Sequence, residues 1–257
     1  MIGTFLPRNG KLLILINGAY GKRAARICDY AGRTHADIEW AEDQAVDPRR
    51  VEAVLKGDPA ITHVFVVHCE TTSGVLNPIA EIAKVVAAVG RRLLIDSMSA
   101  FGALPLDARE IPFDAVAASS NKCIEGVPGV GFVICRRDAL EAAKGNAHSL
   151  SLDLHDQCTA MEKTAQWRFT PPIQVIVAFE QALREHGRAD RGPRRQGIAQ
   201  GAGADAGPEE ARPAHHPHQP QHAYETVQQA LQSARLHAHK DDLILVCGSF
   251  FIVAEAM

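Results

Sequence analysis

Apolar residues fall in short, nearly unbroken runs, separated by stretches with a helical period. The runs are Lys11 to Ile16, Ile61 to Val67, Arg91 to Ile95, Ala115 to Ala118 and Val130 to Cys135. Runs this short and this apolar read as strands buried on both faces. Gly18 to Ala31 and Ile173 to Glu185 read as helices between or after them. Asp47-Pro48 predicts a helix start, with an Asp cap and Pro in the first turn. Asn77-Pro78 predicts a second capped helix, running to Val89 with apolar residues at 79, 82, 83, 86 and 89. Asp138 opens a short helix. Alternating buried strands and helices predict an α/β three-layer sandwich with a mostly parallel sheet. Ligands of such sheets sit beyond the carboxyl ends of the strands.

The pattern stops near His186. Residues 187 to 222 are rich in Gly, Ala, Arg, Pro and His, with almost no large apolar side chains. Such a segment cannot bury enough surface to offset its ordering entropy, and is expected to be disordered. Its histidines (His215, His216, His218 and His222) read as part of a solvated low-complexity tract. Order signals return from Ala223, with a helical pattern over Tyr224 to His237 and a strand-like run over Asp242 to Cys247. The expected organisation is therefore residues 1–186, 187–222 and 223–257.

Composition narrows the picture. With 46% hydrophobic and 22% charged residues among 257, the chain has ordinary globular composition. A net charge of -3 leaves no electrostatic footprint for nucleic acid. The apolar runs are far too short to cross a bilayer, and the amino terminus lacks a signal-peptide pattern. Six scattered cysteines without a C-x-x-C pair point to reduced thiols in the cytoplasm and away from a metal site. Gly126, Gly129 and Gly131 lack the Lys-Ser/Thr of a P-loop and read as turn glycines.

The candidate chemistry lies at two strand ends. Asp96 closes Leu-Leu-Ile-Asp (93 to 96), and Lys122 follows Ala-Ala-Ser-Ser-Asn (117 to 121). An amine and a carboxylate at neighbouring strand ends can grip the two ends of a pyridoxal phosphate ring. The lysine would form a Schiff base, and the acid would keep the pyridine nitrogen protonated. Taken alone, a lysine after a strand is usually a surface residue. The surrounding motifs carry the assignment.

Those motifs are Asn-Gly-Ala-Tyr-Gly (17 to 21), His-Cys-Glu-Thr-Thr-Ser-Gly-Val-Leu-Asn-Pro (68 to 78), Asp-Ser-Met-Ser-Ala-Phe-Gly (96 to 102) and Ser-Ser-Asn-Lys-Cys-Ile-Glu-Gly-Val-Pro-Gly (119 to 129). Two more follow: Lys-Gly-Asn-Ala-His-Ser-Leu-Ser-Leu-Asp-Leu-His-Asp-Gln (144 to 157) and Trp-Arg-Phe-Thr-Pro-Pro (167 to 172). In this order, over about residues 11 to 186, they resemble the large domain of a class V, fold-type I aminotransferase. Within that family the resemblance is strongest to the branch acting on 2-aminoethylphosphonate and pyruvate. It implies pyridoxal phosphate as cofactor and a homodimer with shared sites. It implies Lys122 as the Schiff-base lysine, Asp96 on the pyridine nitrogen, Tyr20 stacked on the ring and Thr71 on the ring oxygen. It places Asn121 near the phosphate, and Thr170 on the phosphate of the neighbouring subunit's cofactor. The alternatives are an alanine– or serine–glyoxylate type of aminotransferase, or a non-catalytic truncated fragment.

The departures matter too. The family's glycine-rich phosphate turn has no counterpart in Met1 to Gly10, and the arginine that clamps the substrate carboxylate has no matching position. Cys158 stands where the resemblance expects a tryptophan. The resemblance thus implies an impaired aminotransferase. The tail from Ala223 to Met257, with Asp-Asp-Leu-Ile-Leu-Val-Cys-Gly-Ser-Phe-Phe-Ile-Val-Ala-Glu-Ala (241 to 256), resembles the carboxyl end of folylpolyglutamate or dihydrofolate synthases, without that family's nucleotide-binding motif.

Overall fold

A computed structural model describes residues 1–189 and the backbone of 243–247. The elements in chain order are α1 (Ile2–Phe5), β1 (Lys11–Ile16), α2 (Ala19–Tyr30), β2 (Thr34–Glu39), α3 (Pro48–Gly57), β3 (Ile61–Val67), α4 (Ile79–Ala88) and β4 (Arg92–Asp96). There follow β5 (Ala115–Ser119), β6 (Gly131–Arg136), α5 (Arg137–Ala142), α6 (Leu154–Thr164), α7 (Ile173–Ala189) and β7 (Leu243–Cys247). The strands form one sheet in the order β2-β1-β3-β4-β5-β6-β7. The first five are parallel to their neighbours; β6 runs antiparallel to β5, and β7 antiparallel to β6. The expected α/β sandwich with a mostly parallel sheet is what forms.

The continuous apolar runs follow from burial on both faces. In β1, Leu12, Ile14 and Ile16 face one layer and Leu13 and Leu15 the other, all at most 2% exposed. The first layer includes Ala24 and Cys28 of α2 and Leu154 and Cys158 of α6. The second holds Val51 and Leu55 of α3 and Ile79, Ile82, Ala83 and Val86 of α4. Each fully buried Leu, Ile or Val contributes about 1.5–3 kcal/mol relative to an exposed one. A third cluster seats α7: Phe132 of β6 meets Phe101 edge-on at 5.4 Å and stacks on Phe179 at 5.2 Å.

Three local expectations are corrected or completed. The Asp47 cap holds, its side chain accepting from Arg49 N–H at 2.9 Å. Asn77 does not cap α4, whose cap position is Pro78. Its amide turns inward, pairs with Asn17 and takes the Val46 N–H. Strand β2 and helices α1 and α6 carry no expectation from the sequence, and each forms. β2 is at one edge of the sheet and mixes Thr, His, Asp and Glu with apolar residues, which hides its period. The expected strand near 242–247 is β7. The tract 190–242, including the expected helix over 224–237, and the residues after Cys247 lie outside the described residues. So does nearly all of the segment resembling the folate-pathway ligases. Among the described residues no helix is long and apolar enough to cross a membrane.

Candidate active site

The carboxyl ends of β1, β3, β4 and β5 bring Asn17, His68, Asp96 and Ser120 to one rim of the sheet. Asp96 is the last residue of β4 and lies opposite Ala117 of β5. Both line a cavity of about 850 Å³, together with Tyr20, Arg23, Phe65 and Met98. The chain turns sharply after Asp96, so that the N–H of Met98 donates to the Asp96 carboxylate at 3.0 Å. No other hydrogen bond to this carboxylate occurs among the described residues. Burial pushes the Asp96 carboxyl up to about 6, with the Glu70 carboxylate adding to the rise and Arg23 opposing it. A crowded acid with one hydrogen bond, opening on a cavity, is suited to a cationic N–H donor.

Tyr20 stands in the first turn of α2 and lines the same cavity. The Arg23 guanidinium lies 4.7 Å from its ring centroid, a cation–π contact one turn along the helix. Lys22, Arg26 and His148 complete a basic rim. The residues present therefore fit a flat, anionic, protonatable ring. Asp96 would accept from its nitrogen, Tyr20 would offer an aromatic face, and Lys22, Arg23 and Arg26 would supply positive charge.

The other expected site residues are near the rim but outside the cavity wall. Lys122 is exposed, in the turn after β5. Thr71 sits in the loop after β3, where its hydroxyl bonds that of Ser99. Ser99 also joins the Lys122 turn, because its carbonyl accepts from the Cys123 thiol at 3.2 Å. Thus the Thr71 loop, the turn after Asp96 and the Lys122 turn meet at Ser99. Asn121 is half-buried beside Lys122, and Thr170 is exposed just ahead of α7. The structure brings Asp96 and Tyr20 to one cavity, and sets Lys122, Thr71, Asn121 and Thr170 around or away from it.

Two neighbours escaped the reading of the sequence. Met98 supplies both the donor to Asp96 and a wall of the cavity. Its position two residues after a strand-end acid was the available signal. Glu70, in the loop after β3, is wholly buried against the first turn of α2. A carboxylate inside the motif 68 to 78, with no apolar role to play, marked it. His68, just after β3 and bonded through its backbone N–H to Asp96 O, is buried and bonds Ser97 at 3.1 Å, and burial holds its pKa down.

Comparison with known proteins decides the family. The family model for aminotransferase class V matches residues 5–190. The chain belongs to the class V aminotransferases. It is 59% identical over 185 residues to a 2-aminoethylphosphonate–pyruvate transaminase of Pseudomonas putida (strain KT2440), covering 72% of this chain and 50% of that protein. A Rhizobium meliloti protein of the same name is 55% identical over 198 residues, covering 76% and 52%. Among solved structures, pyridoxamine–pyruvate aminotransferase from Mesorhizobium loti matches with a TM-score of 0.65 at 29% identity, covering 72% of this chain and 48% of that one. An alanine–glyoxylate aminotransferase from Nostoc shares the fold, with a TM-score of 0.66 at 18% identity over 73% and 50%. The chain spans about half the length of the curated relatives it matches.

Proposed function

We propose that this chain carries the cofactor-ring half of a pyridoxal-phosphate aminotransferase. The net reaction is 2-aminoethylphosphonate plus pyruvate giving phosphonoacetaldehyde plus alanine. The observation that carries the cofactor reading is Asp96, a crowded carboxyl with one backbone donor, lining one cavity with Tyr20. The substrates rest on the names of relatives 55–59% identical to the matched region.

Pyridoxal phosphate, when bound, supplies a ring that withdraws electrons from the carbon bearing the amine. The chain's own residues do the rest. Asp96 accepts from the ring nitrogen and keeps it positive. Tyr20 and Met98 wall the ring. Thr71 reaches the ring oxygen, and Lys122 is the covalent anchor and moves protons as a general acid–base. Asn121 lies toward the phosphate, and Thr170 serves the cofactor of a second subunit. A homodimer fits the outward apolar side of α7, where Ile173 and Val177 are 61% and 59% exposed and Phe169 precedes them. The five described cysteines are free thiols, in keeping with a cytoplasmic protein.

The test is direct. Purified chain is mixed with pyridoxal phosphate, reduced with borohydride and mapped by mass spectrometry. The reading expects a visible absorbance band and a cofactor adduct on Lys122, both lost in Lys122→Ala. Labelling spread over surface lysines with no band would favour a non-catalytic fragment. Half-reactions with 2-aminoethylphosphonate, alanine and serine separate the phosphonate reading from the glyoxylate-type alternative.

A further inference from the structure

Helix α2 begins without a cap of its own. Its cap position is Gly18, which has no side chain to accept from the first free N–H groups. Those groups are met from another part of the chain. Glu70 Oε2 accepts from Tyr20 N–H at 3.3 Å. Glu70 Oε1 accepts from the Thr72 hydroxyl at 3.0 Å and the Thr72 N–H at 3.4 Å. The Thr72 hydroxyl in turn accepts from Ala19 N–H at 3.4 Å. The first two amides of α2 thus end, directly or through one hydroxyl, on a single carboxylate.

That carboxylate is 0% exposed, and among the described residues no Lys, Arg or His forms an ion pair with it. A buried acid without a cation is costly unless its oxygens are hydrogen-bonded. Here the amino end of a twelve-residue helix supplies donors and a favourable dipole. Gly18 is built around the same group. A Cβ there would lie 2.2 Å from Glu70 Cγ and 2.7 Å from Oε2. Its φ of 171° is ordinary extended backbone, so close approach and not torsion demands glycine.

The loop is closed on its other side. Glu70 N–H donates to Val75 O at 2.9 Å, and Gly74 N–H donates to Glu70 O at 2.7 Å. The residue between Glu70 and Thr72 is Thr71. Glu70 therefore bonds both the turn presenting Tyr20 and the turn presenting Thr71, with the Thr72 hydroxyl as a second link between them.

We propose that Glu70 is a positioning residue that holds Tyr20 and Thr71 as one rigid unit around the cofactor ring. This rests on the cofactor reading above. Glu70 does not touch the ring; it acts through the two residues that do.

The test uses the full chain with Glu70→Gln, Thr72→Val, Tyr20→Leu and the Glu70→Gln/Tyr20→Leu pair. Amide hydrogen exchange is followed without cofactor, and pyridoxal phosphate binding by its visible absorbance. Glu70→Gln is expected to speed exchange at Tyr20 on the order of tenfold, the usual scale for losing a helix cap, with β3 amides unchanged. Cofactor dissociation should rise by about the same factor, and this rise should shrink in the Tyr20→Leu background. Thr72→Val should speed exchange at Ala19 more than at Tyr20, and it decides the matter if Glu70→Gln fails to fold. Unchanged exchange at these amides, or an undiminished loss of affinity in the Tyr20→Leu background, would overturn the proposal. If the parent chain binds no cofactor, the function reading fails. The exchange arm still decides whether Glu70 holds the two turns together.

Discussion

The Asp96 carboxylate is held by one backbone donor, the N–H of Met98 two residues along, at 3.0 Å. The rest of the group opens on the cavity it shares with Tyr20. An acid in that position is destabilised in its charged form until a cation arrives. The first prediction follows from this.

The folded Asp96 carboxyl sits at about 6 against an ordinary 3.8. A raised acid binds its proton more tightly in the folded state. Its stabilising contribution is complete below about pH 4 and is lost as pH rises through about 6. Asp96→Asn keeps the Met98 hydrogen bond and cannot ionise. Without cofactor, the variant is expected to match the parent near pH 4 and to exceed it by about 3 kcal/mol near pH 8. Urea unfolding across the range measures this. A difference that does not change with pH would show that the carboxyl is unstrained.

His63 has the opposite sign. It is 4% exposed, and burial with Arg92 nearby lowers it from 6.5 to about 4. The neutral ring is favoured in the fold, so its contribution is present above 6.5 and lost as pH falls toward 4. His63→Gln should therefore lose less stability than the parent between about pH 6.5 and 4, by up to about 3 kcal/mol. Parallel acid-unfolding curves for the two proteins test this.

Asn77 joins three segments. Its amide exchanges hydrogen bonds with Asn17 at 2.9 and 3.2 Å, donates to Val67 O at 2.8 Å and accepts from Val46 N–H at 3.0 Å. Asn77→Ala leaves several buried groups unpaired and should cost about 2–4 kcal/mol of unfolding free energy. A loss under about 0.5 kcal/mol, the scale of an ordinary surface substitution, would mean that water takes over these bonds.

Gly126 closes the turn that carries Lys122. Its N–H donates to Ser120 O at 2.8 Å, and a Cβ on it would meet that same oxygen at 2.8 Å. Gly126→Ala must therefore open the turn. The expected outcome is a several-fold fall in borohydride-trapped cofactor on Lys122, with thermal unfolding shifted by a few degrees. Unchanged trapping would show that the Lys122 turn need not keep this shape.

The fold was largely legible because the sheet is covered on both sides. That burial demands continuous apolar strands, and Leu12 to Ile16 or Val64 to Val67 satisfy it. β2 was illegible for the same reason reversed: at the edge, only Ile38 of its six residues is buried. Helix α6 had readable signals in Asp153 as cap and Leu154, Cys158 and Met161 at helical spacing. Asn77 misled because Asn-Pro is a helix-start signal. A buried polar partner at Asn17, sixty positions away, outweighed the cap.

Of the site, the chain's order alone identified Asp96 as a strand-end acid and Lys122 as a lysine in a turn after a strand, since strand ends are set by local burial. Which of them share a cavity was decided by packing. Parallel pairing of β1, β3, β4 and β5 brings Tyr20 and Asp96 to one cavity although 76 positions separate them in numbering (96 − 20). The same pairing seats Glu70 under the first turn of α2, a contact with no local signature. Periodicity is a property of neighbours along the chain, whereas a cavity and a cap supplied from a distance exist only once the sheet has closed.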